Sequence, residues 1–264
     1  MSHYRCRFAG SPRRCRARCP QDGRGSGRGL HGPLCRHHAA VELGRFGAAL
    51  RRADATGGPA SFRGGPVSTR DDDVRAAIRD LGADGTVDGD AATAAWEEVL
   101  RLPQWDGEPV WIHSDLLPGT LLVREGKLSS VIDFGGLGVG DPACDMMVAW
   151  TLFSAETRGL FREVSDVDDV TWARGRGWAL CFGLMAEHYY RVKNPILAGV
   201  GRRAMFEALA DYQCEDRRLL LVRPLSGRRC QNPLPEHCHG RARRCPPAST
   251  PQAITTVIIT VVIY

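Results

Sequence analysis

Two aspartates, Asp115 and Asp133, stand eighteen positions apart, each just beyond a short apolar run. Val110-Trp111-Ile112 leads into His113-Ser114-Asp115, and Val131-Ile132 leads into Asp133-Phe134-Gly135. Runs of this kind read as strands, so both carboxylates are expected to project from strand ends into one cleft. A pair of acids so placed suits phosphoryl transfer. One accepts or orients the proton of an attacking hydroxyl, and the other holds the magnesium ion that bridges the phosphates and neutralises their developing charge.

The pair has meaning only if the chain between them turns back. Leu121-Leu122-Val123 and Leu128-Ser129-Ser130-Val131-Ile132 are β-prone and flank a polar Arg124-Glu125-Gly126-Lys127 turn, which is a hairpin signal. The reversal at Gly126 would return Asp133 to the side of Asp115. Taken singly, a His-x-Asp is usually a satisfied turn, and Asp-Pro or Asp-Phe-Gly marks a loop. Their order around a hairpin is what carries the reading.

From Trp111 to Trp150 the chain resembles the C-terminal lobe of the aminoglycoside phosphotransferase family, relatives of protein kinases and choline kinases. The family pattern is H-G-D-x-x-x-x-N, a hairpin, I-D-F-G, then G-D-P-x-x-D. His113, Asp115, Asp133, Gly140-Asp141-Pro142 and Asp145 stand in register with it. The resemblance implies Asp115 as catalytic base with His113 as the scaffold of its loop, and Asp133 as the magnesium ligand at the ATP site. It further implies Asp141 and Asp145 as braces that hydrogen-bond at the start of the following helix. Two positions depart from the pattern. Ser114 occupies a glycine position, which matters if the backbone there takes positive φ. Thr120 stands where an asparagine binds metal; it is expected as a second Mg2+ and nucleotide ligand, with the shorter reach of a hydroxyl.

The fold expected is α+β and mainly α-helical, a kinase-like C-lobe with a small hairpin and no recognisable N-lobe. Ala40, Leu43, Phe46, Leu50 and Ala53 recur at helical spacing and end at Thr56-Gly57-Gly58-Pro59. Helices are also predicted over Asp71 to Leu81, Asp90 to Leu102, Pro142 to Leu152, Asp169 to Tyr190 and Pro195 to Tyr212. Before residue 39 no strand pattern appears. The Gly-rich run Gly23 to Gly29 follows no strand and reads as linker, and the chain's two lysines, Lys127 and Lys193, both lie after the His-x-Asp turn. A lysine that clamps the ATP phosphates from an N-terminal strand is therefore not found.

Charge divides the chain into three. Residues 1–38 carry nine arginines against one acidic residue, residues 39–214 carry 18 basic against 26 acidic, and residues 215–264 carry 8 basic against 3 acidic. The net +5 thus hides an acidic lobe, placed at 39–213, between basic flanks 1–38 and 214–264. Arg, Gly, Pro, Ala and Cys dominate the flanks, as they do in shifted frames of GC-rich DNA, so the flanks are expected to be extensions unrelated to the lobe.

Eight of the ten cysteines sit in or beside those flanks, and Cys144 and Cys181 fall in apolar helical context as buried thiols. With no export signal, the chain is expected to be cytoplasmic and off the membrane. The terminal Ile254 to Tyr264 segment is β-branched and too short to span a bilayer as a helix.

The function implied is transfer of the ATP γ-phosphate to a hydroxyl of a small molecule, with an aminoglycoside-type antibiotic the first choice because a polycation suits an acidic lobe. Glu156, Asp166, Asp168, Asp169 and Glu187 form a pool of acceptor-binding acids, and Trp150, Trp172, Trp178, Tyr189 and Tyr190 are either pocket walls or core. Two other classes stay open. One is a catalytically dead lobe that binds without transfer. The other is nonspecific nucleic-acid or zinc binding through the basic, Cys/His-rich ends; no specific nucleic-acid partner is expected.

Overall fold

The computed structural model of the chain describes residues 34–222; the expectations for residues 1–33 and 223–264, including the Ile254 to Tyr264 segment, lie outside them. Three helices come first: α1 (Arg36–Arg51), α2 (Asp71–Ala83) and α3 (Gly89–Arg101). Four short strands follow, β1 (Val110–Ile112), β2 (Leu121–Arg124), β3 (Lys127–Val131) and β4 (Gly138–Gly140). The chain then turns helical through α4 (Ala143–Met146), α5 (Val148–Leu152), α6 (Ala155–Ser165), α7 (Asp169–Tyr190) and α8 (Pro195–Val222).

The hairpin is present. β2 and β3 pair antiparallel, from Leu121 with Val131 to Arg124 with Lys127, with an irregularity between Leu122 and Val123. Glu125 and Gly126 at its tip both have positive φ, 53° and 74°, the backbone of the two-residue turn whose twist matches the flanking strands. The amide of Cys35 donates to the Gly126 carbonyl at 2.7 Å, tying the start of α1 to the hairpin tip.

β1 pairs antiparallel with β4, Trp111 facing Val139. The segment before α2 lies against the free side of β4, where Ala60 bridges Val139 in parallel. Glycine makes this approach possible: a Cβ on Gly140 would sit 2.3 Å from Gly64 Cα, and one on Gly138 would sit 2.7 Å from the Ser61 backbone.

α7 is the central post. It is buried on most sides, as a helix apolar around its circumference must be, and it packs against α2, α4 and above all α8. Asp168 caps it by accepting the Thr171 amide, one of the donors a helix start leaves unpaired. The α7–α8 contact is close enough that a Cβ on Gly183 would meet Met205 N at 2.6 Å and Gly201 O at 2.7 Å. Beside it the buried Glu187 receives Arg202 at 2.7 and 3.3 Å. α1 packs on α6, and Trp96, Trp150, Phe153 and Phe161 are fully buried in the core.

Gly183→Ala is expected to destabilise the lobe by about 1–3 kcal/mol, the usual cost of overpacking a tight contact, read as a lowered Tm. A second prediction concerns Asp84. The Thr86 hydroxyl, Arg191 and the Thr86 amide pull its carboxyl down to about 2. A depressed carboxyl gives stability that is present above its ordinary 3.8 and is lost as pH falls through about 2. Asp84→Ala should therefore lower Tm at pH 7 by a small amount, and the gap to wild type should close on acidification to pH 2; a gap independent of pH would contradict this.

Candidate active site

The His113-Ser114-Asp115 turn leaves β1 and the Asp133-Phe134-Gly135 turn leaves β3, so the hairpin supplies the connection the sequence calls for. Asp115 and Asp133 line the same cleft, a space of about 1120 Å³ that Phe62, Asp73, Trp178 and Tyr189 also border. A separate cavity of about 80 Å³ beside Asp141 and Arg174 includes neither acid.

What fixes the first turn is Asp145 at the start of α4. Its carboxylate is 3% exposed and accepts two backbone amides, His113 N at 2.8 Å and Ser114 N at 2.8 Å. Burial pushes its pKa up, against the pull of those two amides and of the nearby Arg51. Burial likewise pushes the Arg51 guanidinium down, and Arg51 spends a hydrogen bond on the Ser165 carbonyl.

His113 joins the two turns. Its Nδ1 accepts the Asp115 amide at 3.3 Å, which leaves the proton on Nε2, and Nε2 donates to the Ile132 carbonyl at 3.0 Å, one residue before Asp133. The ring is wedged between Phe134, centroid to centroid 4.8 Å, and Phe46 of α1 at 6.4 Å. His113 is fully buried and not among the cleft-lining residues, and it links the two turns through Asp115 N and Ile132 O.

Two residues have left-handed backbone here. Ser114 has φ 63° and Asp133 φ 64°. The positive φ explains the glycine of the family pattern at the serine position, because a side chain there costs about 1–2 kcal/mol. Ser114 offsets part of that cost by donating Oγ–H to the Gly136 carbonyl at 2.6 Å, a bond glycine lacks that ties the Asp115 turn to the Asp133 turn. The strained backbone at Asp133 turns an exposed carboxylate out at the mouth of the cleft.

Thr120 lines the same cleft as Asp115 and Asp133. It is buried, and its hydroxyl accepts the Leu117 amide at 3.2 Å and donates to the Leu117 carbonyl at 2.9 Å. These bonds close the Pro118–Thr120 turn. Asp141 is bound by Arg174 through Nε at 2.8 Å and Nη2 at 3.2 Å, and it accepts the Ala143 amide at 2.9 Å; it anchors α4, and α4 in turn presents Asp145. Among the described residues no cluster of three His, Cys, Asp or Glu side chains forms a closed metal cage.

The pool of acceptor-binding acids does not reach the cleft. Asp168 caps α7, Asp169 pairs with Arg162, Glu187 is buried against Arg202, and neither Glu156 nor Asp166 is a lining residue. Trp150 and Trp172 stack in the core at 4.9 Å, whereas Trp178, Tyr189 and Tyr190 do line the cleft. Cys144 and Cys181 are buried thiols, raised by burial well above the usual range and to about 12, respectively.

Asp73 and Arg63 also line the cleft, and the sequence does not single them out. Arg63 Nη1 lies 2.6 Å from Asp115 Oδ1 and 2.9 Å from the Ser114 carbonyl. Its Ser61-Phe62-Arg63-Gly64-Gly65-Pro66 context reads only as a loop; the close approach of Gly64 to β4 is the signal that this loop is seated.

Asp145→Asn keeps the shape but offers an NH2 to one of two backbone donors, leaving a buried amide unpaired at a cost of about 1–3 kcal/mol. The variant is expected to unfold at lower temperature. An unchanged Tm would show that the turn is held by something else.

The comparisons with known proteins agree with this architecture. Over 63 residues the chain is 36% identical to an aminoglycoside 3'-phosphotransferase of Escherichia coli, covering 24% of this chain and 23% of that enzyme. Among solved structures, the GDP complex of a point mutant of an aminoglycoside 2'-phosphotransferase of type IIIa superposes with TM-score 0.50 at 16% identity, over 69% of this chain and 64% of that one. A macrolide 2'-phosphotransferase from Brachybacterium faecium is 21% identical, over 64% of this chain and 59% of its own, with TM-score 0.42. The chain thus spans about a quarter of the curated relative it matches, and under two thirds of these solved relatives. The sequence model described as "Phosphotransferase enzyme family" matches residues 24–179, more than half of the chain, and on that match the chain belongs to the phosphotransferase enzyme family.

Proposed function

We propose that the lobe of residues 39–213 carries the catalytic half of an ATP-dependent phosphotransferase whose acceptor is a hydroxyl on a small cationic molecule of the aminoglycoside type, acting in the cytoplasm. The observation that carries this reading is that Asp115 and Asp133 open on one cleft from turns locked together through His113.

In the proposed reaction the acceptor hydroxyl lies against Asp115, which takes its proton as the oxygen attacks the γ-phosphorus. A new P–O bond forms, the bond from γ-phosphorus to the bridging oxygen breaks, and its electron pair leaves on ADP. Such transfer depends on positioning and charge stabilisation more than on covalent chemistry. Asp115 suits the task because Arg63 holds its Oδ1 while no described residue hydrogen-bonds its Oδ2.

The residues present fit Mg2+ in one respect. A magnesium ion in such sites takes one or two carboxylates and completes its shell with water and substrate phosphates, and Asp133 is an exposed carboxylate with no hydrogen-bonded partner of its own among the described residues. Asp133 would hold the ion, which when bound would neutralise charge on the phosphates. With its hydroxyl committed to Leu117, Thr120 is assigned the turn rather than the metal.

The cleft also suits the acceptor class. Asp73, Asp115 and Asp133 bring three carboxylates to it, and Trp178, Tyr189 and Tyr190 offer flat faces for sugar rings. A curated relative named for aminoglycosides is compatible with a hydroxylated antibiotic of that class. The engaged Thr120 hydroxyl favours a second reading, a lobe that binds acceptor without transfer.

ADP release by the full chain, measured across an aminoglycoside panel with ATP and with GTP, separates the two. Transfer predicts acceptor-dependent ADP release that falls by about 10²–10⁴ in Asp115→Asn, the range of one general acid–base group, and that loses its magnesium dependence with Asp133→Asn. Acceptor binding with no ADP release from wild type would favour the silent lobe.

A further inference from the structure

We propose that Arg63 is a phosphoryl-contacting catalytic residue: its guanidinium holds Asp115 with one edge and presents the other to the transferred γ-phosphoryl group. This deepens, and rests on, the phosphotransferase reading above. Nη1 is spent on Asp115 Oδ1 at 2.6 Å and the Ser114 carbonyl at 2.9 Å. Nε and Nη2 have no hydrogen-bonded acceptor among the described residues, and the side chain, 23% exposed, lines the cleft that also holds Asp133. An arginine so bound is half used.

The position is built rather than incidental. Ser61 N donates to Val139 O at 3.0 Å, Gly64 N donates to Ser61 O at 3.0 Å, and Asp141 N donates to Gly64 O at 2.9 Å, so both sides of Arg63 are stitched to β4. Ser61 Oγ donates to the Gly136 carbonyl at 3.2 Å, the same carbonyl that Ser114 reaches. A Cβ on Gly64 would collide with Val139 O at 2.7 Å. The guanidinium itself sits 4.8 Å over the Phe62 ring.

The charge balance asks for such a group. Three carboxylates line the cleft, and two guanidinium groups, Arg63 and Arg70, line it with them; neither of the chain's two lysines does. A phosphoryl group arriving at Asp115 would otherwise meet an anion. A fixed guanidinium between them screens the carboxylate from the phosphate and supplies bidentate donors of the geometry phosphate oxygens accept. The arrangement lets one cation serve both partners of the reaction.

Arg63→Lys, Arg63→Gln and Arg63→Ala, made in the full chain, are compared with wild type in two measurements, each variant first shown to be folded by circular dichroism. Equilibrium binding of magnesium tripolyphosphate, read through tryptophan fluorescence, needs no turnover. We expect Arg63→Gln and Arg63→Ala to weaken it at least about tenfold, Arg63→Lys to lie between, and Arg162→Ala, which removes an exposed arginine elsewhere, to stay within about twofold. In steady-state transfer the loss should fall on kcat by about 10²–10³, the scale of one charge-stabilising donor, with the acceptor KM within about threefold.

Polyphosphate binding that depends on Arg63 in a wild-type chain that releases no ADP would support the contact and refute the transfer reading. Binding unaffected by Arg63→Gln, or absent from wild type, would overturn the proposal whether or not the chain turns over. A kcat that rises in Arg63→Ala would also overturn it, by showing that the guanidinium blocks Asp115.

Discussion

Everything at the cleft depends on one buried carboxylate. Asp145 takes the amides of His113 and Ser114 on its two oxygens, and this converts a strained turn after β1 into a fixed one. Its burial is unfavourable to its charge, so the amides it accepts are needed to compensate it, and it in turn satisfies donors that a tight turn would leave buried and unpaired. From there the constraint passes through the His113 ring to Ile132 and through Ser114 Oγ to Gly136. The two turns that carry Asp115 and Asp133 are held as one object.

Charge is distributed around this object with a division of labour. Asp141 and Asp145 sit below the cleft, each nearly dry and each neutralised by donors, Arg174 for the first and backbone amides for the second. Asp115 and Asp133 sit above, more exposed and less fully partnered. The four aspartates from Asp115 to Asp145 thus divide into a buried, fully partnered pair and a more exposed pair, the one the proposed reaction uses.

Much of this is readable from residue order, for local reasons. The hairpin announces itself because Glu125-Gly126 is a turn pair between β-prone runs, α1, α2 and α3 do so because their apolar residues recur every three or four positions, and α7 and α8 do so as long apolar-rich runs. What residue order hides depends on distant backbone. β4 is Gly-Val-Gly, poor in strand formers, and is extended because its glycines let Ser61 and Gly64 approach. α6 buries polar side chains, Thr157, Arg158 and Ser165, beside Phe161, and Arg158 finds its partners in the distant Glu207 and Asp211. The positive φ at Ser114 enters the sequence reading only as a condition. The Thr120 hydroxyl also closes its own turn on Leu117, a bond its place in the motif does not announce. Arg63 carries no periodic signal at all, and its partner lies 52 positions away.

The central claim is that this cleft brings an acceptor hydroxyl, a metal-bound phosphate and two carboxylates together. A crystal structure of the full chain with magnesium, ADP and a bound aminoglycoside tests it most directly. The account predicts Asp133 on the metal and one acceptor hydroxyl within about 2.6–3.2 Å of Asp115, the reach of a general base. An aminoglycoside bound away from Asp115, or a metal held by groups other than Asp133, would contradict it.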